Sequence, residues 1–180
     1  MFEAVNEYEK VIKDADLNAL YKVRREKVYA YMRKNAIDVV LFEDSEEHRE
    51  PALRYLTGHP MDALLVLSAE GKSILIPWDE PLALEMAHVE QMIPYTNYKR
   101  HNITALKDIL STKISAFGKT PVLSLPPYTT YLQYEEYQKE ITKWTLAIQK
   151  DGAHAAVEEL RAQKDAYEIA CTCKACAISS

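Results

Sequence analysis

Residues 62–78 read DALLVLSAEGKSILIPW: two apolar runs, ALLVLS and SILIP, flanking the polar turn AEGK. This pattern predicts a β-hairpin. Just upstream, IDVVLF (37–42) is a continuous apolar run rich in β-branched residues, the composition of a buried strand. Between the two lie a charged loop, EDSEEHREP (43–51), and ALRYLTG (52–58), a helical turn ended by Gly58.

Working outward, the apolar period changes. Leu17, Leu20, Val23, Val28, Tyr31 and Met32 recur at three- and four-residue intervals, so residues 4–35 read as helix, with Asp14 or Asp16 able to cap a second piece. Beyond the hairpin, DEPLALEMAHVE (79–90) has the acidic start and proline of a helix N-terminus. A short strand at 91–95 follows, then an amphipathic helix at 103–114 with Ile103, Leu106, Ile109 and Leu110 inward. Strands at 120–125 and 143–149 enclose a helix at 126–141 that starts with Pro126 and Pro127, and Ala153 opens the final helix. Strands alternating with helices across short loops predict an α/β fold: a mixed sheet of about five to six strands flanked by helices, its antiparallel part supplied by the hairpin.

Composition narrows the function. The chain has 180 residues, 48% hydrophobic and 27% charged, enough for one domain or one domain plus part of another. A net charge of −5 with no basic block argues against a nucleic-acid partner. No apolar run approaches the roughly 18 residues that span a bilayer. The N-terminus, MFEAVNEYEKVIKDAD, is acidic and lacks the apolar stretch of a secretory signal, so an intracellular, cytoplasmic protein is expected. Four glycines, Gly58, Gly71, Gly118 and Gly152, fall at expected junctions where positive φ is useful. They build no phosphate loop and no dinucleotide fingerprint. Ser-x-x-Lys and Gly-x-Ser-x-Gly nucleophile patterns are absent.

The C-terminal segment AYEIACTCKACAISS (166–180) carries charge only at Glu168 and Lys174 and has no Gly or Pro to stop a helix. A helix apolar on nearly every side calls for cover on nearly every side. Ser180 is therefore expected to be a cut, with the covering residues downstream. Cys171, Cys173 and Cys176 suggest a metal cluster on paper. On a helix, however, 171 and 173 point about 200° apart. No second ligand pair stands nearby, so ordinary cysteines of a helix meant to be covered are the simpler reading, exposed and oxidisable where that cover is lacking. His48, His59, His88, His101 and His154 are scattered and form no His-x-x-x-His pair. Tyr128, Tyr131, Tyr134 and Tyr137 recur every third residue, as core plus an interface would. The carboxylates at 43–50 and 135–140 read as solvated surface.

Residues 157–169, VEELRAQKDAYEI, join the polar helix to this apolar tail. Leu160 to Ile169, in the pattern LRxxKDxxEI, resembles the junction of the Xaa-Pro aminopeptidase, prolidase and creatinase family, the pita-bread metallopeptidases. RREKVYAYMRKNAIDVVLF (24–42) resembles that family's opening helix and first strand, ALRYLTGH (52–59) its Tyr-Leu-Thr-Gly turn, and 62–78 its next two strands. The resemblance covers roughly Tyr21 to Ser180. It implies a ribonuclease-H-like domain over 21–155 behind a helical extension at 1–20. Residues 156–180 then form a linker and the truncated first helix of a catalytic domain. It further implies a non-catalytic N-terminal domain of a dimetal Xaa-Pro exopeptidase, which helps form the substrate mouth and the oligomer. The two divalent ions (Mn, Co or Zn) would belong to the C-terminal catalytic domain, so this stretch supplies no metal ligand and no catalytic residue. The implied partners are that domain, a second copy as a homodimer, and proline-containing peptides. Creatinase-like C–N hydrolysis shares the architecture, and a stand-alone dimerisation module using the apolar helix is the alternative of another class. Arg49, Arg54 and His59 are the substrate-mouth candidates, since Arg forms a fork to carboxylates. The plainer reading of the same residues is a solvated charged loop over a Tyr55–Leu56 core.

Overall fold

The computed structural model describes residues 2–114 and 120–179, with side chains from Glu7 onward; Gly118 lies outside the described residues. Its centre is a six-stranded sheet of order β4-β3-β2-β1-β5-β6, the mixed α/β sheet expected from the sequence. The hairpin is β2 (Ala63–Ser68) and β3 (Lys72–Pro77), paired from Ala63↔Pro77 to Ser68↔Lys72. Gly71, at φ 96, donates its N–H to Ser68 O at 2.8 Å and closes the three-residue turn. β1 (Val39–Asp44) is antiparallel to β2 and parallel to β5 (Val122–Ser124). β6 (Thr145–Ala147) and β4 (Gln91–Met92) add parallel edges.

The apolar runs are continuous because both sheet faces are covered. Val39, Leu41, Leu64, Val66, Ile74 and Ile76 meet α5 (Asn102–Thr112) and α6 (Tyr131–Glu140) on one face. Val40, Phe42, Leu65, Leu67 and Leu75 meet α2 (Leu17–Lys34), α3 (Pro51–Thr57) and α7 (Ala153–Ala162) on the other. Each side chain of this size contributes about 1.5–3 kcal/mol when fully buried.

Several boundaries differ from the sequence reading. The first strand runs two residues later, 39–44 rather than 37–42, because α2 continues to Lys34 and its C-terminal turn consumes Asn35 and Ala36. The second helical piece is capped by Asp16, whose Oδ1 accepts from Ala19 N at 3.0 Å. α4 (Glu80–Met86) stops short of 90, and of the strand expected at 91–95 only Gln91–Met92 forms, with a 3-10 turn, Tyr95–Tyr98, starting at its last residue. α6 starts at Tyr131 rather than at the prolines: Pro126 and Pro127 hold the preceding backbone out of helix, and Thr130 with Gln133 forms a reciprocal capping box. Gly152 sits at φ −91, so positive φ is not its role.

The last helix is two helices, α7 and α8 (Ala166–Ser179). Asp165 Oδ1 accepts from Glu168 N at 2.9 Å while Glu168 Oε2 accepts from Asp165 N at 3.2 Å, a capping box hidden in the K-D-x-x-E spacing. The N-terminal helix α1 (Phe2–Asp14) lies against α8 rather than on the sheet. Tyr8 hydrogen-bonds with Cys173 and Glu9 pairs with Lys174 at 3.2 Å, while Arg24 on α2 meets Asp165 at the start of α8. Even so, α8 buries only Ala170, and Ile169 and Ile178 stand exposed. The three cysteines stand uncovered, as expected of this stretch alone: Cys171 and Cys173 are half-buried and Cys176 is exposed. The tyrosine row divides as core plus surface: Tyr137 is buried, Tyr134 packs against the core and Tyr131 is exposed. Among the described residues no helix is long and apolar enough to cross a membrane.

Candidate functional site at the carboxyl end of the first strand

Successive strand residues face opposite sides of a sheet. Glu43 and Asp44, the last two residues of β1, therefore serve opposite faces at one strand end. Asp44 is 5% exposed. It is not the solvated carboxylate expected from the sequence. Its Oδ1 accepts from Glu50 N at 2.6 Å and its Oδ2 from Arg49 at 3.1 Å, which folds loop 45–50 back over the strand. Glu50 caps α3 by accepting from Ala52 N at 3.0 Å, and burial raises its carboxyl pKa. Burial raises the Glu43 carboxyl in the same direction.

The three substrate-mouth candidates come together here. Arg49, Arg54 and His59 line one cavity of about 170 Å³ with Asp44, Glu50 and Pro60. Their states differ. Arg49 is held by Asp44 and, at 2.5 Å, by Asp62, which raises its pKa further and leaves it a wall rather than a waiting fork. Arg54 stands exposed on α3. His59 is completely buried, and neither ring nitrogen has a hydrogen-bond partner. The backbone of Asp62 lies close enough to favour the protonated ring weakly. Burial lowers the His59 pKa against the pull of Asp79 and Asp44, so the ring is neutral at pH 7. A shallow site with one accessible guanidinium and a buried neutral imidazole can hold a carboxylate or carbonyl. On its own it offers no nucleophile.

The scaffold behind this cavity depends on residues that the sequence shows only as surface charge. Arg24 is 5% exposed. It donates to Tyr55 O at 3.0 Å and to Asp165 at 2.6 Å, pairs with Glu168 at 3.3 Å, and lies over the Tyr55 ring at 4.3 Å. Arg25 donates to Leu56 O and His88 O and pairs with Glu90 at 3.3 Å. The adjacent arginines therefore tie α2 to α3 and, through Arg24, to the start of α8. His154 on α7 hydrogen-bonds Leu41 O at 2.9 Å and lies tilted on Phe42, and burial pushes its pKa down to about 4. The one sequence signal for the Arg24 contact was the pairing of two motifs, RRE at 24–26 and KDxxE at 164–168, which only tertiary structure brings together. Among the described residues no group of three or more His, Cys, Asp or Glu side chains is placed to hold a metal ion.

Comparison with known proteins agrees with this architecture. The family model described as the creatinase/prolidase N-terminal domain matches residues 24–163. Among solved structures, the Xaa-Pro aminopeptidase (aminopeptidase P) from Streptococcus thermophilus superposes with a TM-score of 0.57 at 16% identity, over 77% of this chain and 98% of that one. The N-terminal domain of the cytoplasmic peptidase PepQ from Mycobacterium tuberculosis gives 0.56 at 15%, over 75% and 98%. A prolidase from Thermococcus sibiricus gives 0.59 at 21%, over 83% of this chain but only 39% of its own. At such identities the likeness is one of fold. No curated protein matches the chain. With most of its length inside the family model and the same mixed sheet beneath it, the chain belongs to the creatinase/prolidase N-terminal domain family.

Proposed function

We propose that this chain is the non-catalytic N-terminal domain of a cytoplasmic dimetal Xaa-Pro exopeptidase, of the aminopeptidase P or prolidase kind. In this reading it contributes to the substrate mouth and to a homodimer. The observation that carries the reading is the family match over residues 24–163, which ends at the break before α8. Residues 1–20 are an extension, 21–155 the domain, and 156–180 the linker and first helix of the catalytic domain.

Two divalent ions in the catalytic domain would supply a metal-activated water to hydrolyse the bond before proline. The residues of this chain bind and orient. Arg54 presents two parallel N–H donors to a peptide carboxylate. Arg49, locked between Asp44 and Asp62, shapes the wall beside it. His59, fully buried and neutral, forms the back of the cavity.

The test reads the gene beyond the codon for Ser180. A continuation of roughly 200 residues, about one further domain, carrying two Asp, then His, then two Glu is expected. A stop at or near Ser180 overturns the reading. Incubated with Mn²⁺ and an Xaa-Pro dipeptide, the 180-residue chain should cleave nothing; cleavage that depends on the chain places chemistry here instead.

The exposure of Ile169 and Ile178 on α8 favours one second reading, a stand-alone dimerisation module. Sedimentation separates the two. A stable dimer in which α8 becomes protected from amide exchange supports the module, and a monomer with α8 unprotected on its outer face opposes it.

A further inference from the structure

Across the sheet from the substrate-mouth candidates, at the same strand end, lies a second cavity of about 240 Å³. Drug-sized sites start near 300 Å³, so this one suits a ligand of a few heavy atoms. Its floor is Glu43. Arg100 and His101 stand on one side, Gln133 and Glu136 of α6 on the other, and the buried Tyr137 backs it.

Three features mark this cavity as a site rather than a packing gap. The first is a pre-set carboxylate. Tyr95 donates its hydroxyl hydrogen to Asn102 Oδ1 at 2.6 Å, and Asn102 donates through Nδ2 to Glu43 Oε1 at 2.6 Å. The phenol fixes the amide so that only its NH₂ faces the carboxylate. Among the described residues the Asn102 amide is the one side-chain donor on Glu43, and His48 is the basic group that acts on it, through space and without an ion pair. A partly buried carboxylate with only that distant imidazole has room for a closer cation. The second feature is strain. Lys99 and Arg100 are consecutive non-glycine residues at φ 52 and 58. Left-handed backbone costs about 1–2 kcal/mol per residue. Such outliers concentrate at binding sites, where the surroundings hold them. Here the turn, with Arg100 N–H on Tyr95 O at 3.3 Å, sets Arg100 and His101 at the rim immediately before Asn102. The third is the separation of sign: carboxylates at the floor and on α6, basic side chains on the strained turn, and an aromatic wall of Tyr95 with Trp78 stacked on it at 5.2 Å.

We propose that this cavity binds a small zwitterion of amino-acid size, its ammonium group donating to Glu43 and its carboxylate held by Arg100. The proposal rests on this face of the sheet alone and stands whether or not the chain serves a peptidase.

The test is an NMR and calorimetric titration of the chain with free glycine, L-proline and L-leucine, and with their N-acetyl and amide derivatives. At least one free amino acid should give saturable shifts at Glu43, Arg100 and Asn102. Blocking either end, or making Glu43→Gln, should weaken it by at least about tenfold, or about 1.4 kcal/mol. Arg100→Gly should weaken binding to the same degree while raising the melting temperature, because glycine accepts the left-handed turn. If Glu43→Gln fails to fold, Arg100→Gly decides. No saturable shift for any of the three at tens of millimolar, or equal binding of the N-acetyl form, overturns the proposal.

Discussion

At the scale of single residues, buried groups that must stay neutral make the fold sensitive to acid. The folded His154 pKa, about 4, lies below its ordinary value of 6.5, so the unfolded chain takes up the proton first as pH falls. Stability is therefore full above about pH 6.5 and drains away between 6.5 and 4, by about 3 kcal/mol for this residue. His59 shifts in the same direction. Urea midpoints of the wild type and His154→Gln, followed from pH 7 to 4.5, should show the wild type losing about 2–3 kcal/mol more than the variant; parallel slopes would remove His154 from the account. Gly58 makes a geometric contrast with Gly71. At φ 83 a Cβ on Gly58 would sit 2.6 Å from Met86 O, whereas at Gly71, φ 96, it meets nothing within 4 Å. Gly58→Ala should cost about 2–4 kcal/mol and Gly71→Ala about 1–2 kcal/mol by thermal denaturation. A reversed order would sink the steric argument.

At the scale of elements, legibility followed local chemistry. The hairpin, the Asp16 cap and the Gly58 stop were readable because a few neighbouring residues decide each. Strand β1 was displaced by two residues because its start is set by where α2 ends, not by the apolar run itself. The α7–α8 break falls inside the junction read at Leu160–Ile169, but its cap was not seen, because Asp165 and Glu168 look like helix-surface charges until their reciprocal hydrogen bonds are seen. Of the candidate site, Arg49, Arg54 and His59 were named from the loop after the first strand and the Arg54–His59 turn, and the structure sets them around one cavity. The Asp44 and Asp62 grip on Arg49 was not readable, since it joins a strand end, a loop and the start of a hairpin. Arg24 carries the matching prediction. Breaking a buried ion pair costs about 3–5 kcal/mol; the low end applies to Arg24→Ala, because the Asp165 side chain is 34% exposed. Arg24→Lys should recover only part of that loss, since a point charge cannot reach the Tyr55 carbonyl and two carboxylates together. Full recovery by lysine would show that charge alone matters.

At the scale of the whole molecule, the two segments outside the family match, α1 and α8, lie against each other. Removing residues 1–15 should leave the urea transition of the sheet nearly unchanged while amide exchange along α8 rises at least about tenfold, as expected for a helix with few other buried contacts. Unchanged exchange would mean that α8 holds itself in place. A mechanical consequence follows from the way α8 departs. It is a 14-residue rod, about 21 Å long, pivoting at the Asp165 cap and braced by Arg24 on one side and α1 on the other. A tilt of about ten degrees at that pivot swings Ile178 through roughly 3 Å, from the helix rise. The far end of α8 inherits that amplification, with the buried Arg24 guanidinium beside its pivot.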